Sequence, residues 1–240
     1  MIVLTVPHSR CLASSPSGPV GGERTCDLVA EEFADALFAD LRARPLEGVG
    51  IEIIKSHNNR HTELDDNRFL HPTTKKSIKV DSRLWRRLRM VLARVILADN
   101  LVLDIHSFPE REERTGRKIF DGKDVALLDN PPYQEVTIKL RDALERANLT
   151  VSIFPAKTGC NSILDVLTLH PIYTPVVLFE LNEKYRQGPE VSRIASLVAD
   201  FVIEWRGRSR EPGPERGGER GPERGGERGP RYKFVTDIVL

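Results

Sequence analysis

A three-layer α/β/α sandwich on a mostly parallel, mixed sheet is the fold this sequence predicts, and three observations predict it. Six short apolar runs rich in β-branched residues recur along the first 205 positions: Ile2–Val6, Ile51–Lys55, Leu101–Ile105, Val125–Leu128, Val151–Phe154 and Val176–Leu181. Amphipathic stretches alternate with them. The runs are apolar almost throughout rather than alternating, as strands covered by helices on both faces must be.

The helical stretches are read from their spacing. Asp27–Ala43 places Val29, Phe33, Leu37 and Leu41 four residues apart, which is one face of a helix. Ser82–Ala98 does the same with Leu84, Leu88, Val91, Leu92 and Val95. Tyr133–Ala147 and Val191–Trp205 complete the set. Residues 1–205 form the expected domain.

Composition changes abruptly after it. From Arg206 to Arg231 the chain holds only Gly, Pro, Ser, Glu and Arg, with the octapeptide GPERGGER in tandem from Gly213 to Arg228. Such a segment has no apolar surface to offset the entropy of ordering, so residues 206–231 read as a disordered linker. Residues 232–240, YKFVTDIVL, are apolar again, as for an edge strand or a partner motif. The Arg-Gly-Gly triplets of the linker superficially resemble RNA-binding segments, but glutamates interrupt them and no aromatic is present to stack on a base.

Charge and cysteine usage exclude several classes. Thirty-six Lys+Arg against thirty-five Asp+Glu give a net charge of +1, so no global field favours nucleic acid or an anionic membrane. Three cysteines, Cys11, Cys26 and Cys160, show no paired C-x-x-C spacing and suggest no disulfide framework. The N-terminal run lacks the basic region of a signal peptide, and no stretch approaches the roughly 18 apolar residues of a membrane span. The expectation is a soluble, cytoplasmic protein with no nucleic-acid or membrane partner; the oligomeric state is left open.

In parallel α/β sheets, ligands bind beyond the carboxyl ends of the strands. Those ends carry Pro7-His8-Ser9, then His57-Asn58-Asn59-Arg60 with Asp65-Asp66-Asn67-Arg68 after it, then Asp104-Ile105-His106-Ser107, and last Phe179-Glu180-Leu181-Asn182. A hydrolytic zinc site takes about three protein ligands and leaves one position for water. His8 and His106 offer two nitrogens, and Asp27 at a helix start offers a carboxylate. Glu23 is the alternative third ligand, and a carboxylate at Asp27 also suits a helix cap. Glu180 emerges from a buried strand, where an unpaired carboxylate is costly, and suits a general base. An ion pair with a nearby arginine would also account for it. Arg68 and Arg60 suit a two-pronged clamp on a substrate carboxylate, with Asn67 and Asn182 as further contacts. Salt bridges from these arginines to Asp65 or Asp66 are the plainer alternative.

Taken together, VPHS at 6–9, Asp27, NNRHTELDDNR at 58–68, LDIHSFPE at 103–110 and LFELNEKY at 178–185 resemble the N-formylglutamate amidohydrolase family. That family is similar to the zinc carboxypeptidases and aspartoacylases. The resemblance implies a phosphorylase/hydrolase-like sandwich and one Zn2+ held by His8, Asp27 and His106. It also implies Glu180 as general base, and Arg68, Asn67 and Arg60 on the carboxylate of a small N-acyl amino acid. The His-x-x-Glu pair of the carboxypeptidases is absent, Cys11 standing at its second position. A deacylase acting on another carboxylate-bearing amide, and an inactive binding domain of the same fold, are the alternatives.

Overall fold

The structure is a computed structural model, and it describes residues 1–7, 27, 29–46, 48–55, 100–112, 115–156, 175–186 and 188–208. Its six strands are β1 (Ile2–Val6), β2 (Ile51–Lys55), β3 (Leu101–Phe108), β4 (Val125–Asp129), β5 (Val151–Pro155) and β6 (Val176–Asn182). They form one sheet in the order β2-β1-β3-β6-β4-β5. Every pairing is parallel except β4 with β6. The sheet is therefore mostly parallel and mixed, as the sequence predicts.

Among the described residues three α-helices accompany it: α1 (Ala30–Ala43), α2 (Glu135–Arg146) and α3 (Pro189–Arg208). The stripe Phe33, Leu37 and Leu41 of α1 is fully buried, joined by Ala30 and Ala34. Together with Val136, Leu140 and Leu144 of α2 and Ile194, Val198 and Val202 of α3, it packs on one face of the sheet. The strands contribute alternate residues to that face, among them Leu103 and Ile105 of β3 and Phe179 and Leu181 of β6. The opposite alternation supplies a second apolar cluster with Val3, Val102, Phe108, Ala126, Leu128 and Leu178. The two clusters follow from the period-two geometry of strands, and both faces of the sheet are thus buried. No helix among the described residues is long and apolar enough to cross a membrane.

Several boundaries differ from the sequence reading. β3 runs to Phe108, three residues past Ile105, because His106, Ser107 and Phe108 stay in register with Glu180, Leu181 and Asn182 of β6. His106 therefore lies on its strand rather than after it, while Glu180 lies within its strand as expected. α1 begins at Ala30, so Asp27 precedes the helix by three residues and does not occupy its cap position. α3 begins two residues earlier than expected, at Pro189, whose fixed φ and missing N–H suit a first helical turn. It ends at Arg208, so Arg206–Arg208 belong to the domain's last helix. The predicted helix Ser82–Ala98 and residues 209–240 lie outside the described residues.

Phe33 of α1 stacks on Phe179 of β6 at 4.9 Å between ring centroids and 2° between planes, and both are buried. This contact sets where α1 starts over the strand that carries Glu180. Phe33→Ala should lower the unfolding free energy by about 3–5 kcal/mol in urea titration. A loss below about 1 kcal/mol would show that the stack does not anchor the helix.

Candidate active site

All eight residues of β3 are buried, yet three of them, Asp104, His106 and Ser107, are polar. Buried polar groups must find partners. Strand alternation puts Asp104 and His106 on one face and Ser107 on the other. On the helix-covered face, the Ser107 hydroxyl accepts from the Val29 backbone N–H at 3.2 Å, satisfying an amide at the start of α1. The same hydroxyl donates to Glu183 Oε1 at 3.2 Å.

On the other face, His106 stands between two carboxylates. Its Nδ1 lies 2.9 Å from Asp27 Oδ2, and its Nε2 lies 3.3 Å from Asp104 Oδ2. Asp104 is held in turn by the Thr5 hydroxyl, which donates to its Oδ1 at 2.7 Å. Glu180 is the register partner of His106 on the neighbouring parallel strand, so both side chains rise from the same face. His106, Asp27 and Asp104 are buried and Glu180 is half-buried.

Burial by itself would push the His106 imidazole toward its neutral form. The negative charge of Asp104 and the hydrogen bonds to Asp104 and Asp27, with Glu180 adding to them, outweigh it and raise its pKa well above the usual value. A proton on each ring nitrogen is what allows a buried imidazole to satisfy two carboxylates at once.

The donor set also fits a metal. Imidazole nitrogen with carboxylate oxygen is the chemistry of hydrolytic zinc, and an imidazole held by a carboxylate on its far nitrogen is the usual second layer of such sites. Two donors on one tetrahedral ion sit about 3.4 Å apart when each bond is about 2.1 Å. The 2.9 Å between Nδ1 and Asp27 is a direct hydrogen bond, which a few tenths of an ångström of opening would convert. Among the described residues no group of three or more His, Cys, Asp and Glu is arranged to hold a metal ion. His8, the third ligand read from the sequence, lies outside them, as do Glu23, Arg60, Asn67 and Arg68.

Asn182 is placed differently from its expected role as a substrate contact. It is fully buried, its amide donates to Lys123 O at 2.8 Å, and its side-chain oxygen accepts from Lys184 N at 3.0 Å. It ties the end of β6 to the segment entering β4. Asp124 completes that clasp, a residue the sequence reading passed over. Its carboxylate accepts from the Tyr185 hydroxyl at 2.6 Å and from the Thr150 amide and hydroxyl at 2.7 Å each, and pairs with Lys184. Thr5 and Ser107 were also missed as functional supports. No local pattern marks Thr5, since its role depends on β1 lying beside β3. Asp104 was legible in principle, as a carboxylate two positions before a strand histidine shares its face.

No protein-family model matches the sequence, and no curated protein matches it. Solved structures do match. A gene product of Agrobacterium tumefaciens superposes with a TM-score of 0.61 at 15% identity, over 87% of this chain and 90% of its own. N-formylglutamate amidohydrolase from Ralstonia eutropha superposes with a TM-score of 0.53 at 13% identity, over 86% of this chain and 93% of its own. These likenesses show the fold: the chain has the α/β architecture of an N-formylglutamate amidohydrolase.

The clasp behind the site makes a pH-dependent prediction. Burial would raise the Asp124 pKa, but donors from Lys184, Tyr185 and Thr150 prevail and lower it to about 2. A depressed carboxylate stabilises the fold above its unfolded value near 4, and that contribution is lost as pH falls toward 2. Asp124→Asn should therefore cost about 2 kcal/mol at neutral pH, with the difference from wild type shrinking below pH 4. Chemical denaturation at pH 7 and pH 3 measures it, and a pH-independent difference would contradict the assignment.

Proposed function

We propose that the chain is a zinc-dependent amidohydrolase that cleaves the amide bond of an N-acyl amino acid of the N-formylglutamate kind. The observation that carries this is the approach of Asp27, from the segment ahead of α1, to His106 Nδ1 on the central strand, with Asp104 behind the ring. The activity of the structural neighbour from Ralstonia eutropha and the ordered motifs of the sequence support the same reading.

In this reading His106, Asp27 and His8 would hold one zinc ion, and Asp104 and Thr5 fix the orientation of the imidazole. Bound zinc supplies Lewis acidity to the scissile carbonyl and to water. Glu180 stands on the strand beside His106 and acts as the general base. It takes a proton from water as the new C–O bond forms. It then delivers that proton to the amide nitrogen as the C–N bond breaks, giving a carboxylate and a free amino acid. Arg68, Asn67 and Arg60 engage the carboxylate of the substrate. Asn182 acts by holding the end of β6, and so the position of Glu180, rather than by touching substrate.

Elemental analysis of the full chain should find about one zinc per chain, lost in His106→Ala and Asp27→Ala. Glu180→Gln should keep the metal while hydrolysis of N-acyl amino acids falls by about 10²–10⁴-fold. Protein that cannot be loaded with zinc, or a Glu180→Gln variant as active as wild type, would refute the reading.

A further inference from the structure

The chain that leaves β3 returns to the sheet through a one-turn segment at Ile119–Gly122, and its backbone there is unusual. Phe120 and Asp121 have φ of 44° and 55°, and Gly122 follows at 70°. Left-handed backbone is natural for glycine but unfavourable for a bulky aromatic, and such conformations persist where the surroundings impose them, often beside functional sites.

What the conformation achieves is the placement of one ring. Phe120 meets Phe108 edge-on at 4.9 Å between centroids and Phe154 at a tilt at 5.0 Å. Phe108 lies two residues past His106 on the same face of β3, with Asn182 as its partner on β6. Phe154 lies on β5 opposite Leu128, and Leu128 is opposite Leu178 on β6. A line from Phe108 to Phe154 therefore crosses β6 between Asn182 and Leu178, where that strand presents Glu180 to the same face. On β4 the partner of Glu180 is the buried Ala126, a member of the apolar cluster against which Phe120 and Phe154 pack. Phe120, Phe154 and Ile119 are only partly buried, so part of this apolar surface remains accessible.

We infer that Phe120, backed by Phe108 and Phe154, is a specificity-determining wall that takes the amino-acid side chain of the substrate, selecting aromatic or large aliphatic side chains over glutamate. This rests on the amidohydrolase reading in one respect. Because Glu180 delivers its proton to the leaving nitrogen, that nitrogen comes within about 3 Å of it, and the side chain on the adjoining carbon falls on the neighbouring ground. Three phenyl rings offer that side chain dispersion and ring contact, and they offer a glutamate carboxylate no donor.

Two measurements on the zinc-loaded full chain separate this inference from the reading beneath it. One is kcat/KM for N-formyl-L-phenylalanine against N-formyl-L-glutamate; the other is calorimetric binding of L-phenylalanine against L-glutamate. Wild type should favour the phenylalanine compound by about 10-fold or more in both, and Phe120→Ala should remove most of that preference without weakening the glutamate compound. Phe120→Leu, which keeps an apolar side chain of similar volume, should fall between them and shows that the fold survives change at this position. A glutamate preference in wild type, or equal loss on both compounds in Phe120→Ala with Phe120→Leu unchanged, would overturn the inference. Phenylalanine binding that depends on Phe120 without any hydrolysis would keep the wall and remove the amidohydrolase. Hydrolysis whose selectivity ignores Phe120 would do the reverse, and neither binding nor hydrolysis would remove both.

Discussion

A histidine buried on the central strand of a parallel sheet has to be satisfied at both ring nitrogens, and the way His106 is satisfied organises the rest of this molecule. One partner, Asp104, comes from the same strand and is itself held by Thr5 on β1. The other, Asp27, comes from outside the sheet. Asp27 can reach Nδ1 only if α1 begins at one place. That place is fixed by the Ser107 hydroxyl on the Val29 amide and by the Phe33–Phe179 stack. Losing either carboxylate would leave a charged or polar ring in the interior without its counterpart, which costs far more than an exposed pair would.

The sheet keeps support and chemistry apart by alternation. Leu101, Leu103 and Ile105 of β3 pack under the helices, while Asp104, His106 and Phe108 point the other way. On β6, Val177, Phe179 and Leu181 make the same choice, leaving Glu180 beside His106. A one-residue slip of either β3 or β6 would turn His106 or Glu180 under α1 and separate the two, so the hydrophobic pattern that folds the sheet also fixes their pairing. The reversal of β4 relative to β6 brings the Asp124 clasp to the end of the strand that bears Glu180.

Much of this was legible in the sequence because it is local. The apolar runs of β1 and β2 coincide with the observed strands, and the four-residue spacing of α1 marks its buried face. His106 and Glu180 stood out as polar residues at the ends of apolar runs. What could not be read is what depends on neighbours distant in the chain. Thr5 on Asp104, Ser107 on Val29 and Asp124 on Tyr185 join residues 99, 78 and 61 positions apart. The extension of β3 past Ile105 was hidden for the same reason, since polar residues continue a strand only when its neighbour continues too. Asn182 looked like a ligand contact because it follows Glu180 on the same face, but its side chain is taken up by Lys123 O and Lys184 N.

The claim on which the account stands is that the His106–Asp27 pair is half of a metal centre. Zinc-edge X-ray absorption on the reconstituted full chain tests it most directly. The account predicts only nitrogen and oxygen donors near 2.0–2.1 Å, with imidazole scattering that weakens in His106→Ala. Sulfur donors near 2.3 Å, or a spectrum that His106→Ala leaves unchanged, would place the ion elsewhere and contradict it.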